Sequence, residues 1–156
     1  MRTEDIRRHR REVREFHRAT GGFLGDRVCC GGVSIPQCHV LLELDDSGPT
    51  SLVALAEALR LDKSTVSRTV ETLVSRGLVD RISDTGDRRY VVLKLTDEGV
   101  TTVAVVHGIS DENVRKIFSH IPKGRRTEVA ECFGLLVAAV RAADEEDAVA
   151  DTGTET

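Results

Sequence analysis

The stretch 52-LVALAEALRLDKSTVSRTVETLVSRGLVDR-81 is the most informative part of the chain, because it predicts two short helices joined by a very tight connection. We expect helices at 51–59 and 62–76, with only Arg60-Leu61 between them. Asp62 is a favourable N-cap for the second helix, and Gly77 is a favourable stop. Two short helices connected in this way are typical of a helix-turn-helix.

The second of these helices has an apolar face and a polar N-terminal half. Its apolar face carries Val66, Val70 and Leu73, whose spacing predicts inward packing. The first residues of a recognition helix contact base edges and phosphates, and here they are small, polar and basic: Lys63, Ser64, Thr65, Ser67 and Arg68. The pattern favours DNA recognition over the alternative that these side chains are simply solvated.

A hairpin follows the two helices. Strand-like runs at 79–83 and 90–95 flank 84-DTGDRR-89, which places Arg88 and Arg89 at the tip. A guanidinium on such a wing can enter a minor groove. Thr96 and the two acids after it then cap a helix that we expect to run to about Ser119.

Helices are also predicted on both sides of this region. The first spans 4–20, carries Ile6, Val13, Phe16 and Thr20 on one stripe, and is expected to end at Gly21-Gly22. The next opens at a capping box, 34-SIPQ-37, and is expected to end within 46-DSGP-49. A last helix begins near Pro122, with an apolar stripe of Val129, Phe133, Leu136 and Val140.

The predicted fold is mainly α with a small β hairpin: a winged helix-turn-helix domain with N- and C-terminal dimerisation helices. The predicted boundaries are 1–33 for an N-terminal dimerisation helix and cysteine-containing loop, 34–95 for the DNA-binding domain, 96–143 for C-terminal dimerisation helices, and 144–156 for a disordered acidic tail. Exposed apolar stripes at both ends predict a homodimer.

The run 55-LAEALRLDKSTVSRTVETLVSRGLVDR-81 and the following 84-DTGDRRYVVLKLTDEG-99 resemble the MarR family of winged helix-turn-helix regulators. The matching motifs are D-K-S-T-V-S-R, the D-R-R wing tip and L-T-x-E-G, and the resemblance covers about 34–105. It implies a homodimeric repressor whose terminal helices interleave. It also implies an inducer site between the dimer region and the DNA-binding domains, and a near-palindromic double-stranded DNA operator as partner.

Functional positions carry over from this resemblance residue by residue. It implies that one set of side chains faces the major groove: Lys63, Ser64, Thr65, Ser67, Arg68 and Thr69. Arg88 is expected in the minor groove, oriented by Asp87 through a charge-assisted bond, while Arg89 pairs with phosphate.

Composition excludes several other classes of protein. No apolar run approaches ~20 residues, so no membrane span or membrane partner is expected. The first residues lack the apolar stretch of a secretory signal, which predicts a cytoplasmic protein with reduced thiols. The net charge is −4, but seven Lys/Arg against five acids in 62–94 permit DNA binding. No catalytic constellation is present, so an enzyme is not expected.

A cluster of soft ligands, Cys29, Cys30, Cys38 and His39, is not explained by this resemblance. Cys38 falls near a helix N-terminus, which lowers a thiol's pKa and favours the thiolate. Three thiolates from Cys29, Cys30 and Cys38 would suit As(III) or Sb(III) as inducer, with Hg(II), Pb(II), Zn(II) or Cu(I) as further candidates. His39 points about 100° away from Cys38, so we expect it to support the site or pack rather than bind the ion.

Three alternatives stay open for the cysteines. The same three thiols can form a redox switch, in which Cys29 or Cys30 pairs with Cys38. The inducer can instead be a small organic effector, with the cysteines incidental. A cysteine is also often a small buried hydrophobe, which is our expectation for Cys132 as core or dimer packing. No obligatory cofactor is expected.

Overall fold

A computed structural model describes the backbone of residues 2–24, 32–83 and 91–152, and the side chains of residues 2–20, 32–83 and 91–146. The elements are α1 (Thr3–Leu24), α2 (Ile35–Ser47), α3 (Leu52–Leu59), α4 (Lys63–Ser75), β1 (Val79–Ser83), β2 (Val91–Leu95), α5 (Asp97–Ser119), a 3₁₀ turn (Lys123–Arg125) and α6 (Arg126–Thr152). The chain divides into two units, 1–113 and 114–156. The order of elements confirms the predicted fold class.

The starts of three helices follow from their capping residues. Ser34 precedes α2, and its N–H donates to Gln37 Oε1 at 2.9 Å, which is one half of the predicted capping box. Ser51 caps α3 by accepting from the Ala54 N–H at 3.2 Å. Asp62 caps α4 in the same way. These contacts confirm the predicted beginnings of α2, α3 and α4 to within one residue.

The two strands form an antiparallel hairpin with Val79 opposite Leu95 and Ser83 opposite Val91. Thr50, just before α3, adds an isolated bridge to β2: its N–H donates to Leu93 O at 3.1 Å and its carbonyl accepts from Leu93 N at 2.8 Å. The hairpin is therefore held by backbone bonds to the residues that start the helix-turn-helix.

Among the described side chains, the buried hydrophobic residues run from Val33 to Val106 and form one cluster. Helices α2 and α4 supply seven of its fifteen residues, including Leu41 and the predicted inward face of α4, Val66, Val70 and Leu73. The prediction for that face is confirmed.

Gly99, in the first turn of α5, lies against the turn between α4 and β1. A Cβ at this position would be 2.1 Å from the Leu78 carbonyl oxygen, far closer than van der Waals contact permits. The same junction is tied by Thr96, whose hydroxyl donates to Gly77 O at 2.7 Å and accepts from the Gly99 N–H at 2.9 Å. A glycine is required where two backbones approach this closely.

Two predicted helix ends are wrong. Helix α1 continues through Gly21-Gly22 to Leu24, because a glycine inside a helix costs only about 1 kcal/mol unless its backbone turns left-handed. Helix α6 continues to Thr152, so the predicted disorder does not hold for 144–152. That prediction weighed the acidic charge and neglected the high helix propensity of alanine and glutamate.

The terminal helices carry large exposed hydrophobic side chains. On α1 these are Ile6, Val13 and Phe16, and on α6 they include Phe133, Leu136 and Val140. Within the described part of the chain, no helix is long and apolar enough to cross a membrane.

Candidate nucleic-acid interface

The polar face of α4 is exposed along its first turns. Lys63, Ser64 and Arg68 are exposed, whereas Val66 and Val70 on the other face are completely buried. Thr65, Ser67 and Thr69 are half-buried, and the Thr69 hydroxyl donates to the Thr65 carbonyl oxygen at 3.0 Å. The structure thus brings together all six α4 residues predicted to contact the major groove.

The N-terminus of α4 is organised by a short chain of hydrogen bonds. Asp62 Oδ1 accepts from the Thr65 N–H at 2.9 Å and from the Ser64 hydroxyl at 2.6 Å. Arg68 Nη2 in turn donates to Ser64 Oγ at 3.1 Å. Hydrogen bonds from Ser64 and then Thr65 hold the pKa of Asp62 far below its usual range, so the cap stays ionised.

This network was not predicted from the sequence, although its Asp62 cap was. It holds the Arg68 side chain along the helix, one turn after Ser64, with its guanidinium near the start of α4.

The wing is described only at its two strands. Asp87, Arg88 and Arg89, predicted for the minor groove and phosphate, lie outside the described residues. A cleft of about 360 Å³ separates α4 from the hairpin. It is lined by Leu52, Ser67, Glu71, Arg81, Val91 and Leu93.

The described cysteines occupy different environments. Cys38 is 1% exposed and belongs to the hydrophobic core, as in the core-filler alternative. Cys132 on α6 is exposed, so the prediction that it packs in the core of the chain is wrong, and only dimer packing stays open. The exposed His39 likewise does not pack in the core, because it points away from the buried face of α2.

Cys29 and Cys30 lie outside the described residues, so the three-thiolate site stays a prediction. Among residues whose positions are described, no group of three or more His, Cys, Asp or Glu side chains is placed to hold a metal ion.

A second unpredicted contact joins α2 to the end of α4. Arg76, the residue that caps the C-terminus of α4, donates from Nη1 to Gln37 Oε1 at 3.1 Å. No sequence signal indicates this pair, since the two residues are 39 positions apart.

The winged helix-turn-helix region also matches a known family. The model of the MarR family matches residues 33–91, from the residue before the α2 cap to the first residue of β2. Residues 33–91 therefore carry a MarR-family domain. The match confirms the resemblance and includes its D-K-S-T-V-S-R and D-R-R motifs, whereas the L-T-x-E-G motif follows the matched residues.

A curated relative of this chain is the HTH-type transcriptional repressor NicR of Pseudomonas putida. The two are 33% identical over 97 residues, which is 62% of this chain and 60% of NicR. The chain therefore spans less than two thirds of the length of this relative.

Solved structures extend the likeness in fold. The PcaV transcriptional regulator from Streptomyces coelicolor, solved in complex with its natural ligand, is 26% identical, with a TM-score of 0.67 over 84% of this chain and 90% of PcaV. A mutant MarR from E. coli, complexed with operator DNA, is 22% identical, with a TM-score of 0.70 over 86% of this chain and 95% of that one. The second likeness shows the fold alone.

Proposed function

We propose that this MarR-family protein is a transcriptional repressor, not an enzyme, that binds a near-palindromic operator as a homodimer. The observation that carries this proposal is the exposed, polar N-terminal half of α4, with Lys63, Ser64 and Arg68 opposite a buried apolar face. Two likenesses support it: NicR is named a repressor, and the E. coli protein of the same fold was solved on operator DNA.

Within this proposal, Lys63, Ser64, Thr65, Ser67, Arg68 and Thr69 read the major groove. The guanidinium of Arg68 is the only planar fork of the set, and such a group pairs bidentately with guanine. Arg88 would enter the minor groove with Asp87 beside it, and Arg89 would contact phosphate.

The homodimer would place two α4 helices about one turn of DNA apart, ~34 Å. Exposed apolar residues on α1 and α6 support dimerisation, since removing this apolar surface from water would favour association of two chains.

The test is fluorescence anisotropy on a duplex from the region upstream of the protein's own gene, under reducing conditions. Replacing Arg68→Ala should weaken binding by about five- to 150-fold, the typical range for one bidentate base contact. Arg125→Ala is the matched control, because it removes an exposed arginine that pairs with Glu128 in the other unit. Unchanged affinity in Arg68→Ala would refute the assignment of α4, and no salt-dependent duplex binding by the parent would refute the function.

We further propose that a thiophilic ion, As(III) or Sb(III) in the first place, induces release through Cys29, Cys30 and Cys38. Support comes from the position of Cys38 in the first turn of α2, eight residues after Cys30 in the sequence. Because Cys38 is buried, ligation requires this turn to open, so the core would oppose induction until the ion's affinity exceeds the cost of opening.

Titration of the protein–duplex complex distinguishes this inducer from its alternatives. Release by arsenite or antimonite, absent in Cys38→Ser, would support the ion, and Hg(II), Pb(II), Zn(II) and Cu(I) are compared in parallel. Release by peroxide alone, reversed by dithiothreitol, would make the thiols a redox switch. Release by neither would favour a small organic effector.

A further inference from the structure

We propose that Arg76 is a positioning residue that clamps the first turn of α2 shut and couples the opening of that turn to the recognition helix. The inference deepens the proposed regulation, and its coupling to DNA rests on the proposed function. The clamp itself is defined by contacts that do not depend on DNA binding.

The clamp acts on a single acceptor atom. Gln37 Oε1 accepts from the Ser34 N–H at 2.9 Å and from Arg76 Nη1 at 3.1 Å. The first bond caps α2 and the second reaches it from the end of α4. Both bonds orient the same amide, so loss of either leaves the Gln37 side chain freer to rotate and weakens the other.

The guanidinium also covers the chain just before α2. Its second terminal nitrogen, Nη2, would be 3.6 Å from a Cβ at Gly32, where the backbone has φ +73°. One arginine fork therefore lies over Gly32 and holds Gln37. A planar group with several donors can span such a pair, whereas a lysine ammonium cannot.

Cys38 is released only when this turn opens. Its N–H donates to the Ser34 carbonyl oxygen at 2.8 Å, and its side chain is 1% exposed. Bringing the thiol to a reagent or an ion in solution requires the turn from Ser34 to Cys38 to unwind, which moves Gln37 and breaks its bond to Arg76.

The other end of the clamp belongs to α4. Arg76 is the C-cap residue of that helix, and its backbone N–H donates to Thr72 O at 3.1 Å. Val66, Val70 and Leu73 of α4 lie in the same buried cluster as Cys38. Opening α2 thus removes a side-chain tether and core contacts from the helix that is proposed to read DNA.

The experiment measures alkylation of Cys38 by iodoacetamide in the full-length protein, followed by peptide mass spectrometry. Cys29→Ser and Cys30→Ser form the background, so that Cys38 is the single thiol in its region. Labelling of a buried thiol follows the population of the open state when opening is fast. Exposed Cys132 in the same chain is the internal reference for reagent activity.

Arg76→Ala and Gln37→Leu should each accelerate Cys38 labelling by roughly three- to tenfold, the effect expected from losing one solvent-exposed hydrogen bond of ordinary strength. Gln37→Glu should leave the rate of Cys38 labelling at the parent value or lower it, because a carboxylate also caps α2 and pairs more strongly with Arg76. Arg125→Ala is the control and should leave the rate unchanged. Parent-like labelling in Arg76→Ala would overturn the clamp.

The coupling is tested by adding saturating duplex. If α2 and α4 are coupled, DNA must slow Cys38 labelling in the parent, and this protection must shrink in Arg76→Ala. Arg76→Lys retains the positive charge but not the planar fork, so this variant should bind DNA nearly as the parent does and still lose the protection. Equal protection in the parent and in Arg76→Ala would overturn the coupling. If the protein does not bind duplex at all, that result counts against the repressor function, and the clamp is tested by the labelling rates measured without DNA.

Discussion

The winged helix-turn-helix region and the terminal helices place their hydrophobic residues differently. Among the described side chains, the buried cluster begins at Val33 and ends at Val106. On α6, by contrast, Phe133, Leu136 and Val140 are each more than half exposed, and on α1 the same is true of Val13 and Phe16.

The two regions differ in how much of their stability a single chain can supply. The winged helix-turn-helix region buries its apolar residues within one chain, since every helix of 33–83 contributes buried residues to the same cluster. The terminal helices expose apolar stripes instead, and burying them in a second copy would add stability that depends on protein concentration. Mutations in the two regions should therefore fail in different ways.

The largest effect is expected where the first turn of α5 packs on the turn between α4 and β1, from Gly99→Ala. The new Cβ would meet the Leu78 carbonyl oxygen at 2.1 Å, and a backbone atom cannot turn aside as a flexible side chain can. We expect a loss of about 2–3 kcal/mol in the free energy of unfolding, measured by urea denaturation.

Gly108→Ala, in the same helix, is the matched control. Nothing lies within 4 Å of a Cβ there, so we expect about 0.5–1 kcal/mol of added stability from the better helix propensity of alanine. Equal effects of the two substitutions would show that the close approach at Gly99 does not limit stability.

The next largest effect is expected in the terminal helices, from Leu136→Glu. A carboxylate on the apolar stripe of α6 would be buried in the proposed dimer, so the protein should sediment as a monomer. Its operator affinity should fall at least roughly tenfold, because two linked DNA-binding domains bind far more tightly than one.

Leu135→Glu is the control for this substitution, since Leu135 is 71% exposed and lies beside the stripe rather than on it. A Leu136→Glu protein that remains a dimer by sedimentation equilibrium would remove the proposed distinction between the two regions.

The smallest effect is expected from the cap of α4. Asp62→Ala leaves the Thr65 N–H without its side-chain acceptor, and thermal unfolding followed by circular dichroism should show Tm lowered by a few degrees. Asp62→Asn should retain most of the parent Tm at neutral pH, since asparagine also caps helices. Equal losses in both variants would assign the effect to charge rather than capping.

The pH dependence of this effect follows from the lowered pKa of Asp62. Because the folded protein favours the carboxylate, the contribution is complete above the unfolded pKa, ~3.9, and is lost as pH falls from there towards the folded pKa. The difference in Tm between parent and Asp62→Asn should therefore narrow as pH is lowered from about 5 to 2.

The local features of the fold were predictable because their causes are local. The capping residues Ser34, Ser51 and Asp62 predicted three helix starts, and two strand-like runs around a polar turn predicted the hairpin. The exposed face of α4 followed from helical spacing. Failures came where a local signal was weak: Gly21-Gly22 did not stop α1, and acidic charge did not unwind α6 up to Thr152.

The order of the elements, the inward face of α4 and the likeness of 33–91 to the MarR family follow from the sequence alone, since each depends on neighbouring residues or on a contiguous motif. The burial of Cys38, the approach of Gly99 to the Leu78 carbonyl and the contact of Arg76 with Gln37 depend on how the elements pack in three dimensions. These contacts join residues that are far apart in the chain or depend on how one element packs on another. No periodicity encodes them, because they arise when the core brings α2, α4 and the start of α5 together.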